Sequence, residues 1–283
     1  TGLRMLRRFG TDVAHQHDLS SVKRVVVAGE VLNPEVWRWA SLDVFEGEVP
    51  VIDHMWQTET TGAHFVYPYG LGGKQYMKYI KPGSAGLPVP GVVPVVYDET
   101  GLGEVPRGQK GVLYLRKPFP GLTPTLWDSF ERYVQSYWEM RVKGLYCTGD
   151  AAMIDQDGYI WFSGRADEII KISGHRVGTV EVESSLLSHP SVAEAGVCGV
   201  PDELRGEVVV AFVVLKPGSL GPLIVFRDLW FVNMLPKTRS GKIMRRVMRR
   251  LWLGQDIGDL STLEEEASVD EVKEAVSKMR QVS

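Results

Sequence analysis

Residues 146–183 read YCTGDAAMIDQDGYIWFSGRADEIIKISGHRVGTVEVE, and the other segments are interpreted relative to this stretch. Its segment DQDG, residues 155–158, lies between two short apolar runs, which predicts the tip of a β-hairpin. Such a hairpin brings Asp150 close to Arg165, because the two residues flank its arms. A carboxylate beside a guanidinium can accept hydrogen bonds from a vicinal diol while the arginine faces phosphate, as ribonucleotide recognition requires. A structural ion pair at the base of the hairpin is the alternative.

The composition is that of a globular protein with a hydrophobic core, since 44% of residues are hydrophobic and 24% are charged. A length of 283 residues predicts two domains. The net charge of -3 argues against a protein that coats nucleic acid. Cys147 and Cys198 are the only cysteines, which argues against a disulfide framework or a zinc cluster and favours the reducing cytoplasm. No apolar run reaches the roughly 18 residues of a membrane span, so no membrane partner is expected.

The first third of the chain predicts a strand, a turn and a helix. Residues 22–28, VKRVVVA, are β-branched and mostly apolar, which is typical of a buried strand in an α/β sheet. Asn33 then suits a helix N-cap and Pro34 the first helical position. The intervening turn contains Gly29 and Glu30, and such turns lie at the edge of a parallel sheet where ligands bind.

A second short strand, residues 50–53, runs into the loop HMWQTETTG, residues 54–62. The hydroxyl and backbone N–H groups of this loop suit phosphate oxygens. Its carboxylate suits magnesium, which takes one or two acidic ligands together with phosphate. A polar loop around a buried tryptophan is the alternative.

The middle of the chain predicts a small β subdomain, either a barrel or a twisted sheet. Residues 91–98 and 111–117 alternate as strands between Pro- and Gly-rich turns. Residues 118–143 follow, with aromatic side chains at roughly helical intervals that predict packing against the core. The members of this stripe are Trp127, Phe130, Tyr133, Tyr137 and Trp138.

The chain beyond Asp167 predicts a compact α+β unit, so Asp167 is the expected domain boundary. A helix is predicted over 179–188, followed by strands over 193–200 and 207–216. The expected apolar side of the helix consists of Val180, Val182, Leu186 and Leu187.

The last part of the chain predicts two further helices, of which the first, over 243–252, is strongly basic. It has Arg245, Arg246, Arg249 and Arg250 along one side, and a solvated face or a ligand-binding face are the two interpretations. Capping boxes are predicted at Ser261/Glu264 and Ser268/Glu271. The final helix should dock on a core through Val269, Val272, Val276 and Met279.

Four motifs, in this order and spacing, resemble the AMP-forming acyl-CoA synthetases of the adenylate-forming superfamily, and the acetyl-CoA synthetases among them most closely. They are WQTETTG at 56–62, YCTGD at 146–150, GRADEIIKISGHRVGTVEVE at 164–183 and PKTRSGKIMRR at 236–246. The resemblance implies α/β and α+β architecture: residues 1–166 as the C-terminal portion of a large adenylate-forming domain, then residues 167–283 as a small mobile α+β domain. It also implies a two-step reaction of acetate, ATP and CoA through acetyl-adenylate, giving acetyl-CoA, AMP and diphosphate.

The resemblance also implies roles for individual residues. The adenine would contact Gly29, Glu30 and Val31, and the nucleotide pocket would be lined by Asp53, His54, Met55, Trp56, Gln57 and Thr58. Asp150 would hold the ribose hydroxyls with Arg165 close by, and Glu59 would bind Mg²⁺. The implied catalytic residues are Thr58 at the α-phosphate, Arg176 facing phosphate and Lys242, which enters the site for adenylation. Ser173 and Gly174 match the turn that lies along CoA, and Asp167 matches the hinge.

The resemblance also implies the acid substrate. In acetyl-CoA synthetases a tryptophan at the position of Trp56 walls off the acyl pocket, so acetate or propionate is expected. The sequence departs from the family pattern in two places. It contains no Ser/Thr/Gly-rich phosphate loop, and it lacks a helix-length segment between Ser219 and the GPL at 221–223. The first hypothesis is a ligase that is competent when a separate chain supplies the phosphate-loop region. The alternative is a non-catalytic remnant or interaction module with weak AMP binding, whereas nucleic-acid binding is not expected.

Overall fold

The computed structural model describes residues 2–7, 9–68, 73–173, 175–216 and 229–282. These residues form mixed α/β and α+β structure in two compact units, Gly2–Asp167 and Glu168–Ser283. The division falls one residue after the domain boundary expected from the sequence. Among the described helices, none combines the length and apolar character that crossing a membrane requires.

The first sheet of the larger unit contains β1 (Val25–Val27), β2 (Val51–Met55), β3 (Phe65–Val66) and β4 (Leu87–Pro88), in that order. Strands β1 and β2 pair in parallel, whereas the other pairs are antiparallel. The prediction of a buried first strand is wrong, because Val26 is 51% exposed. Strand β1 lies at the edge of this sheet in the described part of the chain, so its side chains are only partly covered.

Three short helices accompany this sheet: α1 (Gly2–Arg7), α2 (Asp12–His15) and α3 (Pro34–Arg38), and a π-helical turn, Trp39–Val44, continues α3. The predicted cap of α3 is confirmed. The side chain of Asn33 accepts hydrogen bonds from the backbone N–H groups of the first turn, at 2.8 Å and 3.4 Å. This cap fixes the point at which the chain leaves the turn after β1.

The second sheet of the larger unit is antiparallel and contains β5 (Pro94–Tyr97), β6 (Lys110–Leu115), β7 (Tyr146–Ile154) and β8 (Ile160–Arg165), in that order. The predicted hairpin is therefore confirmed as β7–β8. Gly158 has φ +90° at its tip, a conformation that glycine adopts without strain.

The aromatic stripe after residue 118 is only partly in the core. Helix α4 (Phe130–Tyr133) continues into a π-helical turn, Val134–Trp138, which places Tyr133 in the interior. The core prediction is wrong for Trp127, which is 98% exposed, and for Phe130, which is 57% exposed. The chain before α4 is not helical, and Asp128 has a left-handed φ of +49°. The helical spacing assumed from the sequence therefore does not extend back to Trp127.

Among the described residues, the sheet of the smaller unit contains five strands: β9 (Ile170–Ile172), β10 (His175–Val177), β11 (Val192–Asp202), β12 (Gly206–Leu215) and β13 (Leu229–Phe231). Their order is β10-β9-β12-β11, and β13 pairs in parallel with β12. The two long strands predicted from the sequence are confirmed as the β11–β12 hairpin. The position between Ser219 and the GPL at 221–223, where the sequence lacks a helix-length segment of the family, lies outside the described residues.

Helices α5 (Thr179–Leu187), α6 (Arg245–Leu253) and α7 (Ala267–Val282) complete the smaller unit. The predicted docking of α7 is confirmed for Val269, Val272 and Val276, which are buried; the side chain of Met279 lies outside the described set. Both predicted capping boxes are wrong. Helix α7 begins at Ala267, so Ser268 lies inside its first turn, and no helix begins at Ser261.

The faces of α5 and α6 differ from the sequence prediction. In α5, Val182 and Leu186 are only half-buried, and the buried side chains are Thr179 and Glu183. The basic side chains of α6 make contacts within the smaller unit, so the face is solvated only in part. Arg245 binds Glu183, Arg249 pairs with Glu207 at 3.2 Å, and Arg246 and Arg250 donate to the backbone oxygens of Asp259 and Asp256.

Candidate functional site

The β7–β8 hairpin brings the predicted carboxylate and guanidinium together. Asp150 and Arg165 are paired in register, and Arg165 Nη1 lies 3.4 Å from Asp150 Oδ1. Arg165 Nη1 also donates to the backbone oxygen of Thr148 at 3.2 Å. A Cβ atom at Gly149 would come within 2.6 Å of the Arg165 guanidinium and would displace this flexible side chain, and the φ of +74° is one that favours glycine. The predicted proximity of Asp150 and Arg165 is confirmed.

Gln57 joins the loop after β2 to the hairpin. Its Nε2 donates to the backbone oxygen of Thr148 at 2.7 Å and lies 3.3 Å from Asp150 Oδ2. Its Oε1 accepts a hydrogen bond from the Tyr146 hydroxyl at 3.1 Å. The Tyr146 hydroxyl therefore fixes the orientation of the amide, so that the Gln57 NH₂ group faces Asp150. The motifs at 56–62 and 146–150 belong to one site.

Asp150 is an almost fully buried carboxylate, with 6% of its surface exposed. Burial raises its pKa to about 6, and the charge of Arg165 and a hydrogen bond from Thr148 oppose that rise. Charge-assisted hydrogen bonds to a carboxylate are usually about 2.7–2.9 Å long. The contacts of Asp150 with Arg165 and Gln57 are longer, at 3.4 Å and 3.3 Å, so its oxygens retain capacity to accept from a ligand.

The loop after β2 is held rigidly by its own hydrogen bonds. Residues Thr58–Thr60 form a short 3₁₀ helix, and the Thr60 hydroxyl both accepts from the Gln57 N–H and donates to the Gln57 carbonyl, each at 2.9 Å. Thr58 is exposed, as is 45% of Trp56. The alternative of a polar loop around a buried tryptophan is therefore wrong in its central feature.

Glu59 is bound by a residue that the sequence analysis assigned only to the core. The Tyr137 hydroxyl donates to Glu59 Oε1, and the Tyr137 ring stacks on Tyr146 with centroids 5.3 Å apart and planes 1° apart. Burial, and secondly the carboxylate of Glu59, raise the pKa of Tyr137 to about 12. Sequence spacing gave no signal for this contact, because Tyr137 and Glu59 are far apart in the chain.

Asp53 holds the turn after β1 against β2. It is buried, and its carboxylate accepts from the backbone N–H groups of Leu32 at 3.0 Å and His54 at 2.9 Å. Burial raises its pKa to about 7, although these two hydrogen bonds oppose the rise. Asp53 therefore positions the turn at 29–31. Within that turn Glu30 pairs with Arg4, and Gly29 has φ +98°.

The two remaining residues predicted to line the pocket follow Asp53 on β2. His54 is half-buried, and in the described part of the chain its Nδ1 has no hydrogen-bond partner. Met55 packs against the core cluster that includes Phe65 and Tyr146. Met55 thus contributes to the packing beneath the loop.

The candidates between β9 and β10 lie in the smaller unit. Ser173 has a left-handed φ of +48°, and its N–H donates to the backbone oxygen of Arg205 at 2.8 Å. Gly174 lies outside the described residues. Arg176 is exposed on β10, paired in register with Lys171 of β9.

Lys242 lies on a closed, exposed loop of the smaller unit. Its N–H donates to the Thr238 hydroxyl at 3.1 Å, and its carbonyl accepts from the Thr238 N–H at 2.9 Å. Gly241 has φ +81° in this turn. Lys237, which precedes the turn, pairs with Glu194 at 2.7 Å. These contacts fix the backbone of the loop and leave the Lys242 side chain exposed.

Two family models match the chain. The model for the AMP-binding enzyme matches residues 1–127, and the model for the AMP-binding enzyme C-terminal domain matches residues 181–242. The matched ranges include Trp56 to Glu59 and Lys242. The Asp150–Arg165 hairpin lies between them.

Similar proteins bear two kinds of name. An acetyl-coenzyme A synthetase of Pyrobaculum aerophilum is 43% identical over 99% of this chain and 43% of its own length. A 3-hydroxypropionyl-coenzyme A synthetase of Metallosphaera sedula is 44% identical over 99% of this chain and 44% of its own length. The chain thus spans less than half the length of these relatives.

Solved structures agree with the fold class. The anthranilate CoA ligase AuaEII in complex with anthranoyl-AMP aligns with a TM-score of 0.70 and 31% identity, covering 86% of this chain and 47% of that one. An ATP-bound RpMatB-BxBclM chimera aligns with a TM-score of 0.65 and 26% identity, covering 80% of this chain and 45% of that one. The adenylate-forming fold class predicted from the motifs is confirmed.

Proposed function

We propose that this chain, which belongs to the AMP-binding enzyme family, carries the nucleotide-binding part of an AMP-forming acyl-CoA ligase. In this reaction an acyl carboxylate attacks the α-phosphorus of ATP, which forms an acyl-adenylate and releases diphosphate. The thiol of CoA then attacks the acyl carbon and releases AMP with the thioester. The observation that carries the proposal is the cluster of Asp150, Arg165 and Gln57.

The chemistry of this cluster suits a ribonucleotide. At neutral pH a carboxyl group with a pKa of about 6 is mostly ionised, so Asp150 can accept hydrogen bonds from both ribose hydroxyls. Gln57 holds one side of the carboxylate, and Arg165, whose side chain is 50% exposed, offers guanidinium donors to phosphate. A diol would complete the hydrogen bonding of Asp150, whose present contacts are long.

The adjoining elements would hold the rest of the nucleotide. The turn of Gly29, Glu30 and Val31, fixed by Asp53, would contact the adenine. The exposed hydroxyl of Thr58 would donate to the α-phosphate from the rigid 3₁₀ turn. A donor held in place by its backbone costs little reorganisation when charge builds at the phosphate.

Glu59 fits the role of a magnesium ligand. Mg²⁺ usually takes one or two protein carboxylates together with phosphate oxygens and water. Within the described ranges Glu59 Oε2 accepts no hydrogen bond, and no group of three or more potential metal ligands occurs there. This donor set suits an ion that arrives with ATP. When bound, Mg²⁺ would neutralise charge on the phosphates.

The smaller unit would supply groups for each step. Lys242 would bring positive charge to the α-phosphate during adenylation, and Arg176 would face phosphate. Ser173 and Gly174 would lie along CoA during thioester formation. The unit begins directly after Asp167, which would serve as the hinge between these two tasks.

The acid substrate of the proposed ligase would have a short carbon chain. The relatives named for acetate and for 3-hydroxypropionate are about equally similar to this chain. Trp56, with 45% of its surface exposed, is available to form one wall of an acyl pocket. We favour acetate or propionate over longer acids, because an indole at this position would fill the space that a longer chain needs.

Calorimetric titration of the chain with AMP tests the nucleotide site. Asp150→Asn should weaken AMP binding by about tenfold or more, since it removes a charge-assisted interaction worth roughly 1.5–3 kcal/mol. Asp157→Asn, at the exposed tip of the same hairpin, is the matched control and should leave the affinity unchanged. Equal AMP affinity in the chain and in Asp150→Asn would remove the basis of the proposal.

Acetate-dependent exchange between ATP and diphosphate tests the ligase step. The chain is assayed together with the part of an acetyl-coenzyme A synthetase that it does not span. Exchange should appear with that region and fall by about 10²- to 10³-fold in Lys242→Ala, the usual cost of losing one transition-state donor. Lys273→Ala, on the exposed side of α7, should exchange normally. AMP binding without any exchange would instead support the non-catalytic alternative.

A further inference from the structure

Tyr137 connects the two ends of the candidate nucleotide site. Its hydroxyl donates to Glu59 Oε1, and its ring lies parallel to Tyr146 at a centroid distance of 5.3 Å. The Tyr146 hydroxyl in turn donates to Gln57, which faces Asp150. The Tyr137 ring is therefore fixed by stacking at one side and by a hydrogen bond at its tip.

This contact restricts what Glu59 can offer to a metal ion. Oε1 is engaged by the phenol, whereas Oε2 has no hydrogen-bond partner among the described residues. The backbone of Glu59 is also fixed, because its carbonyl accepts from the Thr123 N–H at 2.6 Å. The neighbouring Thr61 hydroxyl donates to the Gly121 carbonyl at 2.7 Å. Rotating the carboxylate to present both oxygens equally would require breaking the Tyr137 hydrogen bond.

We infer that Tyr137 is a positioning residue that makes Glu59 a one-oxygen metal ligand, and that it thereby favours Mg²⁺ over Ca²⁺ in the metal–nucleotide complex. Mg²⁺ requires near-octahedral geometry with single oxygens at about 2.0–2.1 Å, whereas Ca²⁺ accepts both oxygens of one carboxylate at about 2.3–2.6 Å. A carboxylate with one oxygen hydrogen-bonded to a phenol suits the first ion and weakens the bidentate mode of the second, because one lone pair of Oε1 is already engaged by the Tyr137 hydroxyl. The inference rests on the proposed nucleotide site.

Calorimetric titration with ATP, in saturating Mg²⁺ or saturating Ca²⁺, tests it without any turnover. The chain should bind the magnesium complex more tightly, and Tyr137→Phe should lower the ratio of the two affinities by about threefold or more, because it frees a hydrogen-bonded oxygen. Phenylalanine keeps the stacked ring. Tyr159→Phe is the matched control, since it removes a phenol that donates to the backbone oxygen of Tyr79 at 2.9 Å, and its ratio should not change.

The outcomes separate this inference from the proposed function. An unchanged ratio in Tyr137→Phe, with magnesium–ATP binding still weakened by Glu59→Gln, overturns the role of Tyr137 and leaves the nucleotide site intact. ATP binding that depends on Asp150 but is equally tight with Mg²⁺ and Ca²⁺ also overturns the role of Tyr137 and leaves the nucleotide site intact. If the chain binds AMP but binds ATP with neither ion, the inference about Tyr137 falls and the nucleotide site stands. If it binds neither nucleotide, both proposals fall. Should Tyr137→Phe not fold, the ratio of magnesium to calcium affinities in the parent chain decides, and equal affinities overturn the inference.

Discussion

Two buried carboxylates, one in each unit, have almost equal exposure and opposite surroundings. Asp150 is 6% exposed and Glu183 is 5% exposed. Glu183 receives a bidentate pair of hydrogen bonds from Arg245, at 2.8 Å and 2.7 Å, and a third from the Val197 N–H at 3.0 Å. Asp150 has Arg165 at 3.4 Å and Gln57 at 3.3 Å, together with a hydrogen bond from Thr148.

The difference shows that burial alone does not identify a binding carboxylate. Both groups lost their hydration on folding, and a buried charge needs partners in compensation. Glu183 has short hydrogen bonds to its partners inside the smaller unit, where it joins α5 to β11 and α6. The partners of Asp150 compensate its charge only in part. We therefore assign Glu183 to the stability of the fold and propose that Asp150 binds a ligand.

The largest effect that this comparison predicts concerns Arg245. Arg245→Ala should destabilise the smaller unit by about 3–5 kcal/mol, because it leaves the Glu183 carboxylate buried without its cation. Arg245 also lies 3.5 Å from Glu168, which adds a second uncompensated charge. Chemical denaturation followed by circular dichroism measures the change.

Arg246→Ala is the control, since Arg246 is exposed and donates only to a backbone oxygen. Its effect should stay within about 0.5 kcal/mol, the usual range for surface substitutions. If Arg245→Ala were as mild as this control, Glu183 would not be the satisfied structural carboxylate of the comparison.

A buried imidazole extends the comparison to a polar group with no partner. His64 is fully buried, and neither of its ring nitrogens has a hydrogen-bond partner among the described residues. Burial, and secondly the nearby His54, lower its pKa to about 4 from an ordinary value of 6.5. The unfolded chain therefore takes up a proton first, and stability is lost as pH falls from about 6.5 to about 4.

His64→Leu should remove this loss of stability. The free energy of unfolding that the variant loses relative to the parent chain should therefore be smaller at pH 4 than at pH 7, by up to about 3 kcal/mol. Denaturation curves of the variant and the parent chain at both pH values give the difference. His17→Leu replaces an exposed histidine of the same unit and is the control for the loss of an imidazole. A parallel pH dependence in the parent and His64→Leu would mean that His64 is protonated within the folded chain.

Local sequence patterns predicted the parts of the site that adjoin in the chain. The Asp-Gly turn gave the β7–β8 hairpin and hence the proximity of Asp150 and Arg165, because a hairpin fixes register over a few residues. Asn33 and Pro34 likewise gave the start of α3. These signals are local, and the structure preserves them.

The contacts that complete the site join distant parts of the chain. The spacing places Tyr137 in an aromatic stripe, yet Tyr137 binds Glu59. Glu183 is not among the residues predicted for the apolar side of its helix, yet it is buried with Arg245. No spacing rule links residues that meet only through tertiary packing. The exposure of Trp127 was missed for a local reason, since a left-handed residue, Asp128, interrupts the helical period.

The smallest predicted effect measures the incomplete satisfaction of Asp150 directly. Burial raises the pKa of Asp150 to about 6, so its ionised form, which accepts from a ribose diol, predominates above that pH and is lost below it. Adenosine is the appropriate ligand, because it carries the diol without a phosphate that titrates in the same range. Its affinity should fall by about tenfold between pH 7 and pH 5, or about 1.4 kcal/mol.

Asp53, with a pKa of about 7, titrates nearby, and Asp150→Asn separates the two carboxyl groups. This variant should bind adenosine weakly and with a flatter pH profile, because any remaining slope belongs to Asp53. Asp53→Asn should keep the fall that is centred near pH 6. If adenosine affinity in the parent chain does not change with pH, the Asp150 carboxylate is not an acceptor for the diol. Asp150 would then be a second structural carboxylate, like Glu183, and its long contacts would be those of a structural ion pair.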